Sequence, residues 1–516
     1  MMRTRVYPDV KTVRLSRLRM RAAVTRTLRP RYDARRAAGA TWAFARDEAP
    51  LLIVLGGGLL LRVYLMAIYR PAAASFNDTI EYLTTSHDHL FRDPFRPAGY
   101  PLFLRIVRYG VPELSAVIAV QHLLGLATAA LIYLAVRRLT GRRWLPAFPA
   151  ALVAFSGDQL FLEHSILTEC LYTFLVTAGL CGLAYAVAGS PRPLPLLAGS
   201  GLALGIATTV RSVAIPLLLL VGAWALYAFG RSLRQRIVPA AFALAPGLAV
   251  VGFYVVAQGA LAGTWGVSPA SGWAIYTRVA PIADCREFDP PEGTEVLCES
   301  KPSFAPGGQG RPGPGFYQFV GGPAIEHFGN PFSTGLHGSG TMGRFARAVL
   351  LHQPLDYGRE VGRDMLRYID PSTGFDRTYA GAGADELEFV RRAPGIERLT
   401  VDVAEQVGFD AHPLEVGRGI HTLVDLQHWL RVQGLALIVL LILAATAAIA
   451  GRGPIRSASL LLAGAALLQA FVPVATISWG FRYGVPAIGQ LAAASALGVH
   501  ALTYRIGLNR RAAAGA

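Results

Sequence analysis

Apolar runs of membrane-crossing length recur along this sequence. The first, LLIVLGGGLLLRVYLMAIYR at 51–70, leads almost at once into SFNDTIEYLTTSHDHLFRDPFRPAGYP, a stretch dense in carboxylates, histidines, arginines and tyrosines. A bilayer-spanning helix needs roughly 17 to 25 mostly apolar residues. Runs of about that length fall near 51–69, 113–136, 145–160, 166–188, 194–210, 213–229, 236–258, 433–450, 457–476 and 484–503, and they predict about ten helices. Composition agrees: 53% of residues are hydrophobic and only 16% charged, and mean hydropathy is +0.40. A soluble core does not need that much apolar surface. Pro146, Pro149, Gly157 and Asp158 interrupt the third run, and only a few residues separate the fifth from the sixth. One of these pairs is expected to be broken or re-entrant, which is tolerated where backbone is buried in protein or faces water.

Alternate connections are basic: VRRLTGRRW at 136–144, SPRP at 190–193, FGRSLRQR at 229–236, GRGPIR at 451–456 and YRIGLNRR at 504–511. The positive-inside rule puts these, and both termini, in the cytoplasm. Thirteen basic against four acidic residues precede Leu51, with no apolar stretch ending in a cleavage site. Residues 1–50 are therefore expected to be a basic cytoplasmic segment, on the inner leaflet or as an arm, and not a signal peptide. The remaining organisation follows as an N-terminal transmembrane module at 51–258 with an external loop at 70–112, an extracytoplasmic lobe at 259–432, C-terminal helices at 433–503 and a basic tail at 504–516. The lobe holds 21 acidic and 15 basic residues. It opens with the Gly- and Pro-rich KPSFAPGGQGRPGPG, then shows helical periodicity in GRFARAVLLHQPLDYGREVGRDMLRYI and at 384–409. Nearly all basic residues are Arg, with Lys only at Lys11 and Lys301, and Ala and Gly are abundant, a bias of GC-rich bacterial genomes; the expected architecture is an all-α polytopic membrane protein in a bacterial plasma membrane, with a mostly helical external lobe.

The net charge of +16 does not point to nucleic acid. The basic residues flank apolar spans and no aromatic-basic RNA motif appears, so anionic lipid headgroups are the natural counter-ions. Cys285 and Cys298 share the external segment, where an oxidising compartment favours a disulfide. Cys170 and Cys181 lie within one predicted helix and are expected to be buried small residues. Neither pair has zinc-ligand spacing.

A carboxylate in an external loop pressed against the bilayer, Asp78 or Glu81, is placed to take a proton from a hydroxyl held there. Pro97, Gly99 and Pro101 stiffen a turn beside Arg96 and Tyr100, which suits an anionic headgroup. His164 and Glu169 lie at the second external turn, where binding the acceptor or helping to hold a metal competes with a capping or interhelical role, and Glu163 shares that ambiguity. Arg62, inside the first span, is costly in hydrocarbon; function, snorkelling and pairing with a neighbouring helix are all open. Tyr483 fits an interfacial aromatic belt as well as a site. The consecutive His87, Asp88 and His89 are a poor chelate, and the Asn77–Asp78–Thr79 sequon is coincidental in a bacterial chain.

Four stretches carry a resemblance: D-T-I-E-Y at 78–82 followed by R-P-A-G-Y-P-L-F-L at 96–104; FLEHSILTECLYTFL at 161–175; GLALGIATTVRSVAIPLLLL at 201–220; and WGFRYGVPAIGQLAAA at 479–494. In order and in side of the membrane they resemble the GT-C superfamily of integral membrane glycosyltransferases, family 39-like enzymes such as protein O-mannosyltransferases and lipid A aminoarabinose transferases. YTRVAPIADC and LLHQPLDYGREVGRDMLRYI resemble segments of actinobacterial membrane proteins of this type. The lobe at 259–432 departs from the pattern, because the named members usually carry soluble portions after the helices.

The resemblance implies a GT-C-type bundle that moves a sugar from a polyprenyl-phosphate donor to a hydroxyl of a lipid, glycan or protein acceptor, on the extracytoplasmic face and with inversion, in cell-envelope synthesis. By motif it implies Asp78 as base. Glu81, three residues on, is a candidate second carboxylate; Arg96, Arg211 and Arg482, each at an external helix end and beside Tyr100 and Tyr483, are candidates to bind the donor phosphate; His164 and Glu169 are candidates for the acceptor or sugar. No cofactor is certain. Some members use a divalent cation such as Mg or Mn, but this loop has no D-x-D or D-D pair, and metal independence is the expectation. The rival readings are a transporter or flippase of lipid-linked sugars, with ionisable groups at midplane, and a non-catalytic scaffold for polysaccharide assembly.

Overall fold

The computed structural model describes residues 46–73, 76–230, 232–299, 311–370 and 395–514. Residues 1–45 of the basic N-terminal segment, the start of the Gly- and Pro-rich stretch and residues 384–394 lie outside them. The chain divides between Leu52 and Ile53, and, residues 46–52 apart, everything described below lies in the second unit, Ile53–Ala516.

The helices run α1 (Ala49–Ile68), α2 (Phe76–His87), α3 (Gly99–Gly110), α4 (Leu114–Thr140), α5 (Ala147–Phe155), α6 (Gly157–His164), α7 (Glu169–Val187), α8 (Pro193–Val210), α9 (Ile215–Ala228) and α10 (Leu233–Ala262). The lobe contributes α11 (Ser271–Val279), α12 (Ser339–His352), α13 (Pro354–Leu366), α14 (Gly395–Gln406) and α15 (Ile420–Trp429). The chain closes with α16 (Leu435–Ala450), α17 (Gly453–Thr476) and α18 (Phe481–Ala514). A two-stranded antiparallel pair, β1 (Tyr69–Arg70) with β2 (Glu415–Val416), ties the end of α1 to the lobe.

Among the described residues, seven helices are long and apolar enough to cross a membrane: α1, α4, α7, α8, α10, α17 and α18. α9 and α16 are apolar but shorter, at 14 and 16 residues. The expected third span is the exception. Residues 145–160 form no continuous helix; the chain breaks at Ser156, whose extended backbone ends α5 and whose side chain caps α6 by accepting from the Gln159 amide at 3.4 Å. A serine that satisfies an orphan donor starts a new helix at the place where it interrupts the old one. A second correction concerns 70–112, which is not a loop but carries the amphipathic α2 and α3. The expected tail from 504 continues α18 as helix to Ala514.

Chain continuity sets two groups of connections at opposite ends of the bundle. At one end Arg138 donates to the Gly189 carbonyl at 3.1 Å and Tyr133 to that of Arg143 at 2.9 Å, drawing the basic connections together. The other end holds α2, α3, the α6–α7 and α8–α9 turns, the lobe and the start of α18. Between them, small residues let helices approach closely. A Cβ on Gly201 of α8 would lie 2.2 Å from the Ala243 carbonyl oxygen of α10, and one on Gly205 would lie 2.6 Å from the Gly247 Cα. Such contacts drive helix association where apolar burial gains nothing over lipid. The capping box of Ser232 and Gln235 starts α10.

The lobe has its own core, in which Trp273 and Tyr276 of α11 pack against Met342, Phe345 and Val349 of α12. Cys285 and Cys298 are bonded there, with Cα atoms 5.9 Å apart, and Arg278 pairs with Asp364 in the buried interior at 2.5 Å. Val361 and Tyr368 seat the lobe on Val474 of α17 and on Trp479 just beyond its end. Cys170 and Cys181 are buried and unbonded.

Candidate active site

Asp78 stands in the first turn of α2, where a helix start favours a carboxylate. Two arginines from distant parts of the chain converge on it. Arg96 donates from Nε (3.0 Å) and Nη2 (2.6 Å) to Oδ1, and Arg482, at the start of α18, donates from Nη2 to Oδ2 at 2.8 Å. Asp93 explains the fixed aim of Arg96. Its Oδ1 accepts the backbone amides of Phe95 and Arg96 at 2.7 and 3.2 Å, an Asx-type turn, while its Oδ2 accepts Arg96 Nη1 at 2.9 Å. The spacing D-P-F-R at 93–96 is the sequence signal of this turn. Arg96 also lies 5.9 Å from the ring centre of Tyr82, one helical turn beyond Asp78.

A second pair adjoins the first. Arg211, in the turn after α8, donates from Nη1 to Glu169 Oε1 and, at 2.9 Å, to Thr168 Oγ1. Arg482 Nε lies 3.8 Å from the same Glu169 oxygen, so this guanidinium stands between the two carboxylates. The Tyr483 ring centre is 5.4 Å from each of Arg211 and Arg482, within cation–π range of both. Arg96, Arg211 and Arg482 are balanced by Asp78, Glu169 and Asp93, so the cluster is neutral as it stands. Burial acts to raise the Asp78 carboxyl, but Arg96 and Arg482 outweigh it and hold its pKa well below the usual carboxylate range.

These side chains form one wall of a cavity of about 1210 Å³. The facing wall is aromatic and comes largely from the lobe, with Phe95, Phe319 and Phe332 stacked at centroid distances of 4.7 and 5.4 Å and with Trp265 and Trp273 beside them. Ile215 and Pro216 of α9 and Val472 of α17 add apolar lining.

Asp78, Arg96, Arg211, Arg482, Tyr483 and Glu169 thus meet at one surface. Three other candidates do not line it. Tyr100 is wholly buried, donates to Gln121 Oε1 at 2.9 Å and packs edge-on against Tyr82, so it is a strut below the wall and not a phosphate ligand. His164 is buried, with its ring at the His122 ring and the Tyr69 carbonyl, and does not line the cavity. Glu81 is half-buried one turn from Asp78, outside the cavity wall, and burial pushes its carboxyl up. The structure also settles Arg62, which pairs with Glu163 at 2.7 Å inside the bundle. His87, Asp88 and His89 are exposed at the end of α2, where Asp88 pairs with Arg92.

Among the described residues no group of three or more His, Cys, Asp or Glu side chains could hold a metal ion. The donor set at the site does not suit a divalent cation either, because both Asp78 oxygens and Glu169 Oε1 already accept from guanidiniums.

No family model and no curated protein matches the chain. Solved structures do. The chain is similar to the S. cerevisiae protein O-mannosyltransferase Pmt1–Pmt2 complex bound to the sugar donor, at 17% identity over 45% of this chain and 36% of that one, with a TM-score of 0.36. It is similar as well to the oligosaccharyltransferase AglB of Archaeoglobus fulgidus in complex with an inhibitory peptide and a dolichol-phosphate, at 13% identity over 90% of this chain and 52% of that one, with a TM-score of 0.44. The chain therefore spans about half, or less, of the length of these proteins.

Proposed function

We propose that the protein is a membrane glycosyltransferase, moving a sugar from a polyprenyl-phosphate donor to an acceptor hydroxyl on the extracytoplasmic face. The observation that carries this reading is the arrangement of Asp78 between two arginines with a third nearby, in a cavity otherwise lined largely by apolar and aromatic side chains. A lipid phosphate needs cations for its head, an apolar flank for its chain and room for a sugar. The basic connections at the opposite end of the bundle support the assignment of faces.

The chemistry follows from which ion pair can yield. Arg96 is fixed to Asp78 Oδ1 by two hydrogen bonds and to Asp93 behind it, whereas Arg482 reaches Oδ2 through one. Because the cluster is neutral, an incoming phosphodiester must share guanidiniums with the carboxylates, and Arg482 and Arg211 face it from either side of Tyr483. As Arg482 turns to the phosphate, Oδ2 loses its donor and becomes a base, still aimed by Arg96. The acceptor oxygen then attacks the anomeric carbon and its proton passes to Oδ2. The bond from that carbon to the phosphate oxygen breaks with its electron pair leaving on the phosphate. A single displacement of this kind inverts the anomeric centre. Arg211 and Arg482 stabilise the phosphate as its charge grows, the interaction that most often dominates catalysis. Glu169 holds Arg211 in place, and no step needs a metal.

Release of polyprenyl phosphate from a panel of polyprenyl-phosphate sugars, in nanodiscs supplied with an envelope glycolipid extract, tests the assignment. One donor consumed with matching transfer supports it. Transbilayer movement of intact donors without cleavage would favour a flippase instead.

A further inference from the structure

The lobe's share of the cavity wall carries no charge. Every charged side chain that lines the cavity, Asp78, Arg96, Glu169, Arg211 and Arg482, comes from the bundle and its turns. Among the described residues, the lining supplied by 265–343 consists of aromatic rings, small and apolar residues, hydroxyls and two primary amides. The rings form a strip with a direction. Phe95, next to Arg96, stacks on Phe332 at 4.7 Å with the planes 24° apart, and Phe332 stacks on Phe319 at 5.4 Å and 26°. Phe319 is 44% exposed, so the strip runs from beside the Arg96–Asp78 pair out to the surface of the lobe.

Backbone contacts fix this strip against the catalytic turn. Asp93 accepts the Phe95 amide at 2.7 Å, and the Ala270 amide donates to the Pro94 carbonyl at 3.1 Å, which ties the start of α11 to the same turn. Ser339 Oγ donates to the Pro269 carbonyl at 3.0 Å, and a Cβ on Gly272 would fall 1.9 Å from the Ser339 carbonyl oxygen, so α11 lies directly against α12. Asn330 Oδ1 accepts the Phe332 amide at 3.0 Å, which leaves Nδ2 to offer a ligand. Gln318, one residue before Phe319, lines the cavity and makes no hydrogen bond to any described residue. At about 1210 Å³ the cavity exceeds the roughly 300–1,000 Å³ of ordinary small-molecule sites, and a second ligand has room beside a donor head.

We infer that this wall binds the acceptor, and that the acceptor is the end of an uncharged glycan chain. A sugar ring has an apolar face of C–H groups and a rim of hydroxyls. The face packs on aromatic carbon and the rim is met by neutral amides and hydroxyls, which is the mixture this wall offers. Two other acceptors fit worse. An anionic lipid headgroup or acidic polymer would need a cation of its own, and the three arginines are already shared between carboxylates and, during transfer, the donor phosphate. An extended peptide is commonly taken up along a strand edge, and the lobe's one strand among the described residues, β2, is paired with β1. On the glycosyl-transfer reading, which this acceptor assignment presupposes, a hydroxyl at the glycan end attacks the anomeric carbon. Its proton passes to Asp78 Oδ2, and polyprenyl phosphate leaves with the electron pair of the broken bond. Phe319, Phe332 and Gln318 then decide which acceptor is taken and have no part in the bond changes.

A test that separates binding from transfer uses full-length protein in nanodiscs and three probes: neutral oligosaccharides from hydrolysed envelope polysaccharide, a serine- and threonine-rich peptide, and short-chain phosphatidylglycerol. Saturation-transfer NMR should detect the C–H protons of the neutral oligosaccharides, and label from a consumed donor should reach them in preference to the other two. Phe319→Ala, at an exposed position, should raise KM for the oligosaccharide by about 3- to 10-fold, what one aromatic contact contributes. Phe319→Trp should keep the wild-type value, and Phe319→Leu, apolar without a flat face, should behave as the alanine variant does. Label on the peptide or the phospholipid in preference to the oligosaccharide overturns the acceptor assignment and leaves the transfer reading standing. A wild-type KM in Phe319→Leu overturns it too. Oligosaccharide binding that is lost in Phe319→Ala, with no donor consumed by the wild type, does the reverse: it upholds the glycan site and removes the transferase.

Discussion

Asp78 carries the account at the scale of single residues, and its two ion pairs make the prediction specific. Replacing it with asparagine keeps the shape and removes the base, so transfer should fall by about 10² to 10⁴, the usual worth of general-base assistance. The pH dependence follows from the arginines. A base is lost as pH falls through its pKa, and Arg96 and Arg482 hold that of Asp78 well below the ordinary carboxylate range in the free protein. The acid limb of kcat/KM, which reports free enzyme, should therefore lie at lower pH than that of kcat, which reports the donor complex with Arg482 drawn away. In Arg482→Gln the kcat/KM limb should move up in pH while KM for the donor rises; a limb left unmoved would contradict the role given to Arg482. Chelators should leave the rate unchanged, because the carboxylate oxygens are occupied by guanidiniums. Asp78, Arg96, Arg211 and Arg482 were legible in the sequence because charges placed at helix ends on one side have few places to go. Tyr100 and His164 were misplaced for a related reason. Position along the chain puts them beside the site, but the side of the backbone on which a ring lies is set by packing partners, Gln121 and His122, more than 20 residues away.

Helices and turns bring these residues within reach of one another. α3 approaches α8 so closely that a Cβ on Gly99 would meet the Thr209 carbonyl oxygen at 2.5 Å, a backbone atom that cannot step aside. Gly99→Ala should push α3 outward and lower both thermal stability and transfer, whereas Gly110→Ala, with nothing within 4 Å of the added Cβ, should change neither. Differential scanning of the two variants separates the cases. The break between α5 and α6 has a purpose of the same kind. It lets Asp158 accept Arg431 Nε at 3.1 Å and Gln427 at 3.2 Å, anchoring the returning end of the lobe. It also swings Glu163 toward Arg62. Breaking a buried pair by removing one partner typically costs about 3–5 kcal/mol, and Glu163→Ala should be destabilised by an amount of that order. The sequence announced the interruption through Pro146, Pro149, Gly157 and Asp158, but not its consequence. The amphipathic periods of α2 and α3 were present as well, hidden by a charge density that resembles a loop.

Across the whole molecule, the alternation of apolar runs and basic connections was enough to give an all-α polytopic chain with two distinct ends. What it could not give was the seating of the lobe. That depends on contacts such as Trp479 with Tyr368 and the Tyr357 hydroxyl with the Ala475 carbonyl at 2.7 Å, which join residues over 100 positions apart and leave no periodic trace. Because the lobe supplies the aromatic wall of the cavity and the bundle supplies the charged one, neither part should transfer sugar alone. The central claim is that this cavity performs base-assisted glycosyl transfer at Asp78. The most direct test is label transfer from a polyprenyl-phosphate sugar to an envelope acceptor by wild type and Asp78→Asn side by side, with the thermal midpoints of both recorded. Wild-type protein should transfer label, and Asp78→Asn protein that still folds should lose nearly all transfer. Undiminished transfer by folded Asp78→Asn protein would contradict the claim.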